Sequence, residues 1–289
     1  MRVYADEFFK IYDPSIGEDS AWYVNDHTLI RGEDGWHLFG ITHTEPAKPL
    51  EEILCAHAIS EDILQKAFRK LPYPICAEKS EHERHFWAPH VIFHDGVYYM
   101  FYCAGSLEGH DKYRIHLATS TDLAVWERHS ENPMLIDGYD ARDPMVIRVG
   151  REWVMYYTCN STPEGGAHCV AAVTSTDLVH WGNKRIVFRS DISGTYGGPC
   201  ESPFVERVNG MYFLFIGPYG GYEKAYSDTA VYASTDPFHF EGEPVGRIPA
   251  HAAEVIRIDG SYYMTHCGWG QGGVYLAPLH FSFIPQDPY

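Results

Sequence analysis

The chain of 289 residues carries 22 basic and 39 acidic side chains, a net charge of −17 with no run of lysine or arginine, which excludes duplex nucleic acid and anionic membrane surfaces as partners and favours a neutral ligand. Hydrophobic residues make up 45% of it, enough for one sizeable core, yet no apolar run reaches the roughly 18–20 residues of a membrane span. Its seven cysteines form no C-x-x-C pair and its first residues carry no secretory pattern, so reduced thiols and an intracellular location are expected.

Residues 1–21 read as an N-terminal segment ahead of a repeating region. Thr28-Leu29-Ile30-Arg31 and Gly35-Trp36-His37-Leu38-Phe39 form the first strand, turn and aromatic strand, the pattern of a β-hairpin. Residues 60–69 follow with helix-compatible spacing and read as a short helix or an irregular outer strand. The hairpin returns at 90–102, 145–157, 204–215 and 254–264. A second element returns with it: Ser120-Thr121-Asp122 ahead of Trp126, Ser175-Thr176-Asp177 ahead of Trp181, and Ser234-Thr235-Asp236 ahead of Phe240. From 90 to 145 and from 120 to 175 the offset is 55, and from 145 to 204 and from 175 to 234 it is 59. Two elements sharing an offset belong to one block of several strands.

Blocks of this length hold four strands, and five of them arranged radially make an all-β, five-bladed β-propeller with its active site in the central cavity. The expected organisation is a single domain over 22–289, with blades starting near 28, 90, 145, 204 and 254. The Ser-Thr-Asp element is expected to be structural, its polar side chains bonding local backbone and its aromatic residue packing between blades.

In a propeller the innermost strands begin around the axis, so polar groups just ahead of them converge. Five segments align there: Asn25-Asp26-His27-Thr28, Trp87-Ala88-Pro89-His90, Arg142-Asp143-Pro144-Met145, Glu201-Ser202-Pro203-Phe204 and His251-Ala252-Ala253-Glu254. They bring three acids, Asp26, Asp143 and Glu201, to one cavity. Like charges brought together in a dry pocket raise one another's pKa, and glycoside hydrolysis has a use for that: one carboxyl keeps a proton for the leaving oxygen, while a carboxylate activates water or attacks the anomeric carbon. Trp22, Trp87 and Trp269 are candidate walls for a sugar face, or blade packing. Asn25 and Arg142 are placed to bond sugar hydroxyls or to orient the acids.

Phe86-Trp87-Ala88-Pro89, Arg142-Asp143-Pro144 and Glu201-Ser202-Pro203, each followed by a hairpin, resemble the five-bladed propeller glycosidases of glycoside hydrolase family 43 and its clan relatives in family 32. The resemblance implies that Asp26 is general base in an inverting enzyme or nucleophile in a retaining one, that Asp143 tunes pKa and positions substrate, and that Glu201 is the general acid. Trp22-Tyr23-Val24-Asn25-Asp26 is similar to the family-32 opening motif, but His27-Thr28-Leu29 follows in place of Pro-Asn-Gly. Asp13, in Asp13-Pro14-Ser15, imitates the family-43 opening without leading into the first hairpin. His90 stands where many family-43 members carry an acid. His251 is similar to a blade-five histidine that in some members lies beside calcium; otherwise no cofactor is implied. The function expected is removal of terminal furanosyl or pentosyl units, such as arabinofuranosyl, xylosyl or fructosyl, from short imported oligosaccharides. Phosphorolysis, as in related mannoside phosphorylases, and a non-catalytic carbohydrate-binding propeller are the alternatives.

Overall fold

The computed structural model describes residues 1–80, 83–106, 109–195, 198–217 and 228–283. They form five antiparallel sheets, each read from the axis outward. Blade one is Trp22–Arg31, Trp36–Thr44, Leu54–Ser60 and Arg69–Lys70. Blade two is Trp87–His94, Val97–Ser106 and Gly109–Ser120, with two short strands, Glu127–Arg128 and Leu135–Ile136, on its outer edge. Blade three is Ala141–Val149, Glu152–Thr162, Gly165–Ser175 and Gly182–Gly194, and blade four is Glu201–Val208, Met211–Gly217, Thr229–Ser234 and Gly246–Ile248. Blade five contains Val255–Ile258, Ser261–His266 and Val274–Ser282.

The stretch before Trp22, read from the sequence as a segment preceding the propeller, lies inside it. Arg2–Ala5 and Phe9–Tyr12 both pair with Val274–Ser282, so the N-terminal strands complete blade five and fasten the ring. Val3 and Ile11, at 2% and 3% exposure, fill two different interblade clusters, and burial of such side chains fixes the segment. The inner strands begin at 22, 87, 141 and 201 in the first four blades, a few residues ahead of the apolar runs that marked them. Inner strands of blades one and two, two and three, and three and four lie side by side.

The core is divided between blades. Phe39 of blade one meets Met100, Tyr102 and Trp126 of blade two. Phe101 and Leu117 meet Trp153, Met155 and Tyr157 of blade three, and Val24 and Leu38 meet Leu276 of blade five. Each sheet is covered on both faces, so its strands read as near-continuous apolar runs and favour bulky aromatic residues. Three hairpins turn on Asp95-Gly96, Asn209-Gly210 and Asp259-Gly260, both residues of each with positive φ, the conformation that the right-handed twist of a two-residue hairpin requires.

The Ser-Thr-Asp element is a turn held by its own side chains. Ser120 Oγ accepts from the N–H groups of Asp122 and Leu123, and Asp122 Oδ1 from those of Ala124 and Val125; Ser175 and Asp177 repeat the pattern. The aromatic residue that follows packs on the preceding blade, Trp126 edge-on to Phe39 and Trp181 edge-on to Phe101. Residues 60–69 hold no helix. Asp62 Oδ1 accepts from Leu64 N, Ile63 is buried, and the chain then reaches the short strand Arg69–Lys70. Ser60-Glu61-Asp62-Ile63 takes the place of the turn in blade one and keeps one of its bonds, while Ser60 Oγ donates to the Lys66 carbonyl instead. The one helical element among the described residues is a single 3-10 turn, Pro49–Glu51, and no helix is long and apolar enough to cross a membrane.

Candidate active site

Each blade meets the axis through one left-handed residue: Asp26 (φ 30°), Ala88 (42°), Asp143 (54°), Ser202 (47°) and Ala252 (48°). In the first four blades a shift in strand register falls at that residue, so the inner strand opens on a β-bulge. Bulges of this kind turn side chains that would otherwise alternate along the strand, and non-glycine residues with positive φ are held there by surrounding structure at a cost of about 1–3 kcal/mol each. The residue just before the left-handed one in every blade, namely Asn25, Trp87, Arg142, Glu201 and His251, lines one axial cavity together with Asp26, Asp143, Ser202, Glu52, Ile41 and Trp269. The five aligned segments therefore converge, and the three acids share one hollow.

That cavity is narrow, about 80 Å³. A larger groove of about 670 Å³ lies at the outer edge of blades three and four, lined by Phe188, Tyr232 and Phe240 among others, and holds none of the three acids. Chemistry, not size, marks the site.

Asp26 has a partner at each oxygen. Ser202 Oγ donates to Oδ1, and His251 Nε2 lies 3.9 Å from Oδ2. Burial pushes its carboxyl up, but the nearby His251 and the Ser202 hydroxyl outweigh it and hold Asp26 below the ordinary carboxylate range. Asp143 goes the other way. Burial, aided by the charges of Asp26 and Glu201 and resisted by Arg142, lifts it to about 7. Its Oδ2 accepts from Ser202 N at 2.9 Å and contacts Thr158 Oγ1 at 3.4 Å. The Thr158 hydroxyl proton goes to the Cys200 carbonyl at 2.7 Å, so the Thr158 oxygen is available to accept one from Asp143. Two acids of equal intrinsic strength are thus driven apart, one ionised and one able to hold a proton.

Arg142, 7% exposed, bridges two further acids: its Nη1 donates to Glu201 Oε1 at 3.0 Å, and its Nε lies 3.1 Å from Asp140 Oδ1. Asp140 is fully buried and pushed up to about 6 by burial, with the Glu201 charge adding to it and Arg142 opposing. Arg142 Nη2 and Asn25 Oδ1 are buried with no partner among the described residues. Both residues line the cavity, the disposition of groups that await a polar ligand.

Of the other residues singled out from sequence, Trp87, Trp269, Asn25, Arg142 and His251 line the cavity, and Trp22 and His90 do not. Trp22 sits at the start of its strand under the Lys70 ammonium, 5.3 Å from the ring centre. It lies four positions ahead of Asp26, and the strand carries it away from the axis. His90 lies two residues beyond the bulge, in a second small hollow on the axis, where Nδ1 is 3.1 Å from Glu254 Oε1 and Nε2 is 3.2 Å from the Val146 carbonyl. It braces the ring beneath the site instead of facing a sugar. Around His251 stand Asp26, His27 and His266, and His27 Nδ1 lies 3.0 Å from Cys267 Sγ. One carboxylate among nitrogen and sulfur donors does not suit calcium, which takes six to eight oxygens, and no group of three or more potential metal ligands occurs among the described residues.

Three residues escaped the sequence reading. Ser202 was legible only as the middle of Glu201-Ser202-Pro203, yet it joins Asp26 to Asp143. Asp140 lies two residues before the Arg142-Asp143-Pro144 motif. Glu52, in the loop between the second and third strands of blade one, has no counterpart in the repeat that could have signalled it.

Residues 19–252 match the family described as the glycosyl hydrolases family 32 N-terminal domain. The chain belongs to that family. This family-32 propeller shares its backbone with solved glycosidases of low sequence identity. A thermostable family-43 glycoside hydrolase superposes with a TM-score of 0.70 at 16% identity, covering 94% of each chain. RS223-β-xylosidase gives 0.69 at 15% over 96% of each. The Bombyx mori family-32 β-fructofuranosidase BmSUC1 gives 0.65 at 17%, over 94% of this chain and 60% of that one. A 1,2-β-oligomannan phosphorylase of Thermoanaerobacter sp. (strain X514) is 38% identical over 73 residues, so the family-32 propeller matches about a quarter of each chain there.

Proposed function

We propose that the enzyme hydrolyses glycosidic bonds at the ends of short oligosaccharides, releasing furanosyl or pentosyl units, and that it does so with Asp26, Asp143 and Glu201. One observation carries this reading: within one cavity, Asp26 is held ionised while Asp143 is lifted to about 7. Environments that split carboxyl groups in this way are what acid/base cleavage of an acetal needs. Glu201 donates a proton to the departing oxygen through the carboxyl oxygen that Arg142 leaves free. Asp26 either takes a proton from the attacking water or itself bonds the anomeric carbon. Asp143, beside both, keeps its own proton near neutral pH because burial and the charges of Asp26 and Glu201 oppose its ionisation, and in that form it positions substrate. The narrow cavity favours a terminal unit over the middle of a chain. All seven cysteines are free and six are buried, in keeping with action inside the cell on imported sugars.

The test is a panel of 4-nitrophenyl arabinofuranoside, xyloside, fructofuranoside, galactoside and mannoside, with proton NMR of the first anomer released. Turnover with inversion assigns Asp26 as base, and turnover with retention assigns it as nucleophile; no turnover of any member contradicts the reading. The partial match to a phosphorylase favours a second reading, in which phosphate replaces water. Against it, Arg142 is the one lysine or arginine lining the cavity among the described residues, and it is already engaged by Asp140 and Glu201, whereas phosphate wants cationic or bidentate partners. Turnover that depends strictly on inorganic phosphate would establish phosphorolysis.

A further inference from the structure

Three glutamates of the described residues are buried: Glu52, Glu83 and Glu254, at 1%, 2% and 7% exposure. Two of them have structural partners. Glu83 takes two hydrogen bonds from Arg128, at 2.8 and 2.6 Å, and Glu254 is held by His90 and by the Leu29 backbone N–H. Glu52 pairs with no cation among the described residues. Its donors are neutral, Tyr23 Oη at 2.7 Å and Trp269 Nε1 at 2.9 Å, and both go to Oε1. The Trp87 indole also lies close, with its own N–H given to the Pro49 carbonyl at 3.2 Å. Neither of the bonds from Tyr23 and Trp269 goes to Oε2, and Glu52 lines the cavity with Asn25, Trp87 and Trp269.

A fourth acid in a hollow that already holds Asp26, Asp143 and Glu201 is costly if it has nothing to bind. Burial and the Asp26 charge lift Glu52 to about 7. A carboxyl that keeps its proton donates and accepts at once, and so does a sugar hydroxyl.

We propose that Glu52 is a specificity-determining residue, whose Oε2 takes one hydroxyl of the terminal glycosyl unit while Trp87 and Trp269, the aromatic residues beside it, wall that unit in. The proposal rests on the glycosidase reading of the cavity.

The test uses the panel substrate that the wild type cleaves best, together with its monodeoxy forms, on wild type, Glu52→Ala and Glu52→Gln. In the wild type, removal of one particular hydroxyl is expected to lower kcat/KM about 100-fold, against about threefold for the others, because a site built around a hydroxyl rejects the analogue lacking it. In Glu52→Ala that selective penalty is expected to shrink to about threefold. Glu52→Gln keeps the volume and an acceptor for Tyr23 and Trp269, and a tenfold or greater reduction of the same penalty there supports the proposal should the alanine variant not fold. Variants that lose the same factor on every substrate, with the hydroxyl penalty intact, overturn it and leave Glu52 as a brace for Trp269. A wild type that cleaves no member of the panel overturns the hydrolase reading itself.

Discussion

Two layers of side chains cross the propeller axis, one above the other, built from the same aligned segments. In the upper layer stand Asp26, Asp143, Glu201 and Glu52, four acids with one arginine among them. In the lower layer, two residues beyond the bulges, stand Thr28, His90, Met145, Phe204 and Glu254. There Glu254 takes Leu29 N at 2.9 Å and meets His90 at 3.1 Å, and His90 reaches the Val146 carbonyl at 3.2 Å. Because a carbonyl only accepts, His90 Nε2 carries a proton, and the contact with Glu254 is held by one further proton between Nδ1 and Oε1. The lower layer is a satisfied buried network of the kind that fixes a core. Among the described residues, the upper layer leaves Asn25 and Arg142 atoms unpartnered and sets its carboxyl groups against one another.

Variants separate the layers. Asp26→Asn is expected to lower kcat/KM roughly 10²–10⁴-fold with the fold retained by circular dichroism; loss of stability with activity spared would reverse the assignment of the layers. Glu254→Ala strands His90 and the Leu29 N–H and is expected to cost about 3–5 kcal/mol in urea unfolding, with kcat of the folded protein within about tenfold of wild type.

Asp143→Asn connects the layers through pH. In the fold Asp143 titrates near 7 against an ordinary value of 3.8, so the native chain holds an extra proton between those limits. Stability from that proton is full below about 3.8 and is lost as pH rises through 7. The asparagine variant should therefore gain on wild type as pH rises from 4 to 8, by up to roughly 4 kcal/mol, while losing activity. A constant difference across that range would show that Asp143 is not the group holding the proton. The smallest effect belongs far from the axis: Ser120→Ala removes the acceptor for two turn N–H groups and should cost about 1 kcal/mol, leaving kcat and KM unchanged.

How far the sequence discloses this molecule depends on the repeat. The hairpins and the shared offsets carry the blade count, and alignment of the blade mouths brings Asn25, Trp87, Arg142, Glu201 and His251 into one column, because one bulge geometry recurs in each blade. Asp26, Asp143 and Trp269, outside that column, also reach the cavity, whereas Trp22, Glu52 and the first turn do not follow from the alignment. Trp22 stands close to Asp26 in sequence, but an extended strand advances about 3.3 Å per residue, and Trp22 ends at the rim. Glu52 comes from a loop peculiar to blade one, and that blade's turn departs from the others in sequence, with Glu61 in place of threonine, and in its bonds, with Ser60 turned to the Lys66 carbonyl. The closure of blade five by Arg2–Ala5 and Phe9–Tyr12 joins residues about 270 positions apart, a pairing that no local pattern announces.

The most direct test is Glu201→Gln against two glycosides of the same sugar, one with a nitrophenyl and one with an alkyl leaving group. With Glu201 as the proton donor, kcat/KM for the alkyl glycoside should fall at least roughly 100-fold further than for the nitrophenyl one, which departs without assistance. Equal losses on both substrates, or full activity on the alkyl glycoside, would contradict the assignment of Glu201 and with it the three-acid site.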